Sequence, residues 1–198
     1  MNFKLLNVSG MNEALYGLGL SFGKTKGKSL PDAYNDMFKR ADSNAHLGLG
    51  HNKYLESIIA WIEVTASRAF WSEMDTYRLM TKQSDSTMHT LFKDCNDACN
   101  ILIPDIPDTR MRAKIEDYLD RFVSIVSDIR DSDLTEVWKI NVVKMLLPEG
   151  WQQTRVLCVS YKTLQNIYAQ RKNHRLFEWN TFCSELEELP NSKWITNS

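Results

Sequence analysis

Residues 54–67 read YLESIIAWIEVTAS, a run rich in β-branched and aromatic side chains. Its second half, 58–65, predicts a buried strand, because such side chains pack well on a pleated surface. The stretch that follows, SRAFWSEMDTYRLM, reads as helical. A strong strand set among helices decides the class: an α+β domain, helix-rich, with a mixed sheet and packed helices.

Working outward, FKLLNV near the start alternates as a strand does. MNEALYGLGLSF predicts a short helix, weakened by Gly17 and Gly19. Ser29 is placed to cap a helix that begins near Pro31 and ends before LGLGH. Toward the C-terminus, Met111, Ile115, Leu119, Phe122, Ile125, Val126 and Ile129 recur at helical spacing, which predicts an amphipathic helix over 108–130. Ser132 is the expected cap of a second helix, which Pro148 and Gly150 stop. TRVLCVSY reads as a strand, YKTLQNIYAQRK and RLFEWNTFCSELEEL as helices, and NSKWITNS as a tail. No repeat, low-complexity segment or linker divides the 198 residues, so one domain over 1–198 is expected.

A net charge of -1 gives no global attraction to nucleic acid or to an anionic membrane. No apolar run reaches transmembrane length, and the apolar part of the N-terminus is too short for a signal peptide. A cytoplasmic location is therefore expected. Cys95, Cys99, Cys158 and Cys183 form no C-x-x-C pair and read as reduced thiols, with no metal site. GKTKGKS has one residue too few for a Walker loop, so Lys24, Lys26 and Lys28 read as a solvated, mobile loop, with anion contact as the alternative. In QRKNHR, four basic or partly basic residues, Arg171, Lys172, His174 and Arg175, sit at an expected helix start. Such a turn suits a phosphate, and equally a solvated turn balancing Glu178 and Glu185. Trp61 and Trp71 are expected in the core, while Tyr54, Tyr77 and Trp179 are candidates to line a pocket for a planar ligand.

The stretch TYRLMTKQSDSTMH, residues 76–89, resembles the signature R-H-R-x-x-S-x-N-E-x-S-x-R-Y of the flavin-dependent thymidylate synthases without a gap. Arg78 and Ser86 match it, Thr81 and Gln83 are mild replacements, and Thr76, Tyr77, Ser84, Met88 and His89 depart from it. GHNKYLESIIAWIEVTASR is similar to another segment of the family, with Gly50, His51, Glu56, Ser67 and Arg68 in place. GLSFGK resembles an early A-R-x-S-Y segment, with Gly19 where the arginine belongs. Leu147, Pro148, Thr154, Arg171 and Glu178 fit a later segment in order.

The resemblance implies the family's fold, a homotetramer with sites shared between subunits, and FAD as cofactor. NADPH and methylene-tetrahydrofolate follow only if the family's chemistry is retained. It places His51, Arg78 and Thr81 on the flavin side. Gln83, Ser86, Arg171 and Arg175 fall on the side of a pyrimidine nucleotide. The replaced letters suit a divergent member, such as a bacteriophage protein that alters nucleotide pools. Three functions are compatible with them: a flavin-dependent nucleotide methyltransferase-like enzyme, a non-enzymatic oligomeric nucleotide-binding protein, and a structural or host-interaction protein with an empty pocket.

Overall fold

Residues 1–48, 50–86, 91–92 and 100–196 are described by a computed structural model. The elements run β1 (Asn2–Ser9), α1 (Met11–Leu20), α2 (Leu30–Asn44), a 3-10 turn (Lys53–Ser57), β2 (Ile59–Ser67), α3 (Arg68–Met74) and β3 (Met80–Ser84). They continue with α4 (Thr109–Asp131), α5 (Glu136–Leu146), β4 (Gln152–Ser160), α6 (Tyr161–Arg171), α7 (Phe177–Glu187) and α8 (Lys193–Thr196). Helices hold more residues than strands, and the class is α+β.

The strands pair in the order β1-β2-β4-β3, so β2 and β4 are central and β1 and β3 are edges. Strand β2 shows why it is central. Ala60, Ile62, Val64 and Ala66 are buried, while the intervening Ile59, Trp61, Glu63 and Thr65 are not, which is the period of two of a sheet with one covered face. Trp61 thus falls on the uncovered face and is 37% exposed, against the expectation that it is core.

The backbone divides into two compact units. One comprises Met1–Val64, Asp75–Gln83 and Arg155–Ser198. Its core brings Leu15, Met37, Leu55, Ile62, Leu157, Leu164, Phe182 and Trp194 together out of water. The other comprises Thr65–Met74 and Ser84–Thr154. Its core is built on Leu119, Phe122 and Val126 of α4, Val143 of α5, and Leu147 and Trp151. Met111 and Ile125 of the expected apolar stripe of α4 are exposed; Ile125 neighbours the inward-facing Val126 and so turns about 100° away from it, and Met111 lies in the first turn of the helix.

Other expectations need correction. The helix after β2 ends at Met74. Beyond it the Asp75 carboxylate takes Arg155 and Lys82 as ion-pair partners, and Met80–Ser84 finds a strand partner in β4. Ser132 closes α4, its hydroxyl donating to the Ile129 carbonyl at 2.7 Å, and Thr135 takes the N-cap position of α5. The tail contains the one-turn α8, whose Trp194 is fully buried and donates its indole N–H to Asp42 Oδ1 at 3.1 Å. Tyr54 and Trp179 are buried in the core of the first unit, at 7% and 0% exposure. The Tyr54 hydroxyl donates to the Ala41 carbonyl at 2.7 Å.

Cys183 is buried and Cys158 half-buried, both free thiols, while Cys95 and Cys99 lie outside the described residues. Among the described residues no group of His, Cys, Asp and Glu gathers as a metal site, and no helix is long and apolar enough to cross a membrane.

Candidate functional site

A groove of about 510 Å³ opens in the first unit, at the place where β4 turns into α6. Ile59 of β2 and Cys158 of β4 line it beside Ser160, Leu79, Met80 and Thr81. Lys162, Thr163 and Asn166 bring the first turns of α6, Glu56 comes from the 3-10 turn, and Arg78 completes the wall.

The sequence makes the α6 end of this groove. Ser160 is extended and caps the helix, its Oγ accepting from the Thr163 N–H at 3.2 Å. Thr163 Oγ1 in turn donates to the Leu79 carbonyl at 3.2 Å, which ties the segment before β3 to the helix start. The N-terminus of a helix carries partial positive charge. Arg78 and Lys162 add two full charges, opposed by Glu56. Lys162 Nζ is steadied by Gln165 Oε1 at 3.0 Å. Gln165 is itself buried, donating to the carbonyls of Ala45 at 2.8 Å and Trp194 at 3.0 Å. The groove therefore offers an anion or a polarised carbonyl two cations, a helix end and hydroxyl groups.

Immediately before Arg78, Tyr77 turns to a second cluster. Arg171, the last residue of α6, places its guanidinium 4.8 Å from the Trp179 ring centre and 5.6 Å from that of Tyr77. Its Nε donates to Tyr77 Oη at 2.9 Å, and Tyr77 Oη donates to Gln170 Oε1 at 3.0 Å. Stacking and a charge-assisted hydrogen bond fix the arginine. His174 Nδ1 accepts from the Leu176 N–H at 3.2 Å, so its proton sits on Nε2 when the ring is neutral. The first turn of α7 has no side-chain cap, and Arg175 is exposed beside it.

Of the residues that the resemblance selected, Arg78 and Thr81 line the groove. Arg171 belongs to the aromatic cluster. Gln83 is exposed on β3, on the face of Thr81 by strand alternation. Ser86 is exposed beyond the strand, and His51 is exposed on the turn before the 3-10 segment. Met88 and His89 lie outside the described residues. Ser67 and Arg68 work locally in the second unit: Ser67 Oγ accepts from the Phe70 N–H at 3.1 Å, and Arg68 donates to the Leu147 carbonyl at 3.4 Å. Sequence reasoning missed Lys162. Its signal is a lysine in the first turn of a helix, a place where a cation opposes the dipole and so needs a reason.

Compared with solved structures, the chain matches two crystal structures of thymidylate synthase ThyX from Helicobacter pylori, both with FAD and dUMP. One has a TM-score of 0.77 at 14% identity, covering 97% of this chain and 95% of that one. The other, described as a flavin-dependent thymidylate synthase, has a TM-score of 0.77 at 15% identity, covering 98% and 96%. At this level of identity the likeness establishes the fold: the chain has the architecture of ThyX. No protein-family profile and no curated protein sequence matches it.

Proposed function

We propose that this chain is a divergent flavin-dependent thymidylate synthase-like protein that binds a pyrimidine nucleotide with FAD, and that it is not an efficient dUMP methylase. The observation that carries this reading is the groove at the α6 N-terminus, with Arg78 and Lys162 on its wall, in a fold whose solved relatives hold FAD and dUMP. Its volume is in the range of small-molecule sites.

The donor set suits a flavin or nucleotide edge: guanidinium, ammonium and helix N–H groups meet phosphate or ring carbonyl oxygens, and hydroxyls can turn to either polarity. In this reading Arg78 and Thr81 hold the flavin, with His51 joining them in the assembled oligomer. Gln83, Ser86, Arg171 and Arg175 serve the nucleotide there. Bound FAD would supply hydride chemistry. The chain's own part is to orient the ring, exclude water and place positive charge where the pyrimidine is polarised. NADPH and methylene-tetrahydrofolate enter only if the full chemistry survives.

A tetramer completes the sites in this reading. It is supported by the outer side of α5, where Val137, Trp138 and Met145 are 68%, 63% and 85% exposed, more apolar area than a solitary helix keeps in water. The engagement of Arg171 with Tyr77 favours a second reading, a non-enzymatic nucleotide-binding or host-interaction protein, since an arginine whose Nε already donates to the Tyr77 hydroxyl has fewer N–H groups for a phosphate.

Titrating the full chain with FAD and following flavin fluorescence tests the reading. Saturable binding, weakened about tenfold or more in Arg78→Ala and Lys162→Ala, is expected. Absence of FAD and dUMP binding would overturn it, and nucleotide binding without any FAD binding would favour the second reading.

A further inference from the structure

We propose that the cleft between the loop of residues 21–29 and α2 is a binding site for an oligophosphate group, sharing no residue with the groove at α6. The cleft has a volume of about 400 Å³ and is lined by Lys24, Asp36, Lys39, Arg40, Ser43 and Asn44. The five helical residues recur at three- and four-residue spacing, so they form one face of α2.

The loop that brings Lys24 is anchored. Thr25 is fully buried, and its hydroxyl donates to the Tyr16 carbonyl at 2.7 Å. Its methyl lies on Gly19, where a Cβ would come within 2.2 Å. The Lys24 N–H donates to the Gly19 carbonyl at 3.0 Å and the Lys28 N–H to the Thr25 carbonyl at 3.0 Å. Lys24 is thus carried on a fixed turn.

Arg40 is also held, its guanidinium carbon 4.2 Å from the centre of the Phe22 ring. Stacking of this kind keeps the fork in one plane without using its N–H groups. Asp36 is the one carboxylate of the lining, and it already has Lys28 as its ion-pair partner. Lys24, Lys39 and Arg40 are therefore three cations over one neutralised acid. The lining contains no apolar side chain, which excludes a hydrophobic ligand. A guanidinium fork with two ammonium groups fits an anion with several oxygens and two or more charges, the chemistry of a pyrophosphate.

Calorimetric titration of the full chain with inorganic pyrophosphate and, separately, with ADP tests the site. We expect saturable pyrophosphate binding that weakens with added salt. It should fall about tenfold or more in Lys39→Ala/Arg40→Ala and in Lys24→Gln, and a saturable component should survive in Arg78→Ala/Arg171→Ala. Near-ultraviolet circular dichroism of each variant checks the fold, and Lys24→Gln keeps the test valid if the helix double variant is damaged. Tighter binding of ADP than of pyrophosphate would identify a nucleoside diphosphate as the source, and equal binding a free polyphosphate. No pyrophosphate binding at low salt, or binding lost only with Arg78 and Arg171, would overturn the proposal.

Discussion

Gly17 and Gly19 look alike in the sequence and differ in what surrounds them. A Cβ at Gly17 would meet nothing within 4 Å, whereas one at Gly19 would strike Thr25 at 2.2 Å. Gly17→Ala should therefore stabilise the protein by about 0.5–1 kcal/mol through helix propensity. Gly19→Ala should cost about 1–3 kcal/mol as overpacking. Urea melts that show equal effects would contradict this account. The same contact leaves no room at position 19 for the arginine of the segment that GLSFGK resembles. Tyr77 gives a second test. Tyr77→Phe keeps the stacked rings but removes the oxygen that accepts from Arg171 Nε. In this half-buried place the loss should be about 1 kcal/mol, a fall in Tm of roughly 2–4 °C. An unchanged melt would mean that the Tyr77 hydroxyl contributes nothing to holding Arg171.

At the scale of elements, α8 is fastened to α2 through Asp42. Lys193 forms an ion pair with its carboxylate at 2.8 Å, and the Trp194 indole donates to it at 3.1 Å. The Lys193 hydrogen bond, with that of Trp194, holds the Asp42 carboxyl below its usual value of 3.8 against the opposing effect of burial. A carboxyl depressed in the folded state stabilises above its unfolded pKa, and that contribution is lost as the pH falls through the folded value. Thermal melts should lose stability below about pH 4, and Asp42→Asn should flatten this acid limb. Parallel curves for the two proteins would remove Asp42 as its source. The tether also marks a limit of the sequence. NSKWITNS holds no helical period of its own, and α8 exists because Trp194 has a core to enter. Ser29 with Pro31 and the stripe of Leu119, Phe122 and Val126 were legible because caps and helical faces are local signals. Strand β3 and the end of α3 at Met74 were not, since their partners, β4 and its Arg155, come from far along the chain. Of the candidate site, the resemblance pointed to Arg78 and Thr81. Lys162 is reached only through the Ser160 cap and Gln165, a relation made by folding.

At the scale of the whole molecule, light scattering should give a mass four times that of the 23.0 kDa chain, and a monomer at micromolar concentration would remove the shared-site reading. In catalysis, the protein should not make thymidylate at a useful rate. In the resemblance over residues 76–89, Ser84, at the end of β3, falls at the motif's glutamate and Met88 at its arginine. Neither brings charge to a nucleotide. A charge-assisted contact is worth about 1.5–3 kcal/mol, so two losses weaken substrate binding by about two to four orders of magnitude unless other groups compensate. Lys162 and the turn at Arg175 are the cations available to do so. They must act in the same geometry, because a misplacement of about 1 Å can cost 10²-fold in rate. Arg171 is already stacked between Tyr77 and Trp179, and drawing it to a phosphate costs those contacts. A tritium-release assay with dUMP, methylene-tetrahydrofolate, FAD and NADPH, run beside growth of a thymidine-requiring strain, should show neither turnover nor rescue. Robust activity would mean that the spacing of residues 76–89 outweighs their lost charges. Arg171→Ala would then identify the compensating cation: a collapse of dUMP binding would assign the role to Arg171, and retained binding would leave it to Lys162 or Arg175.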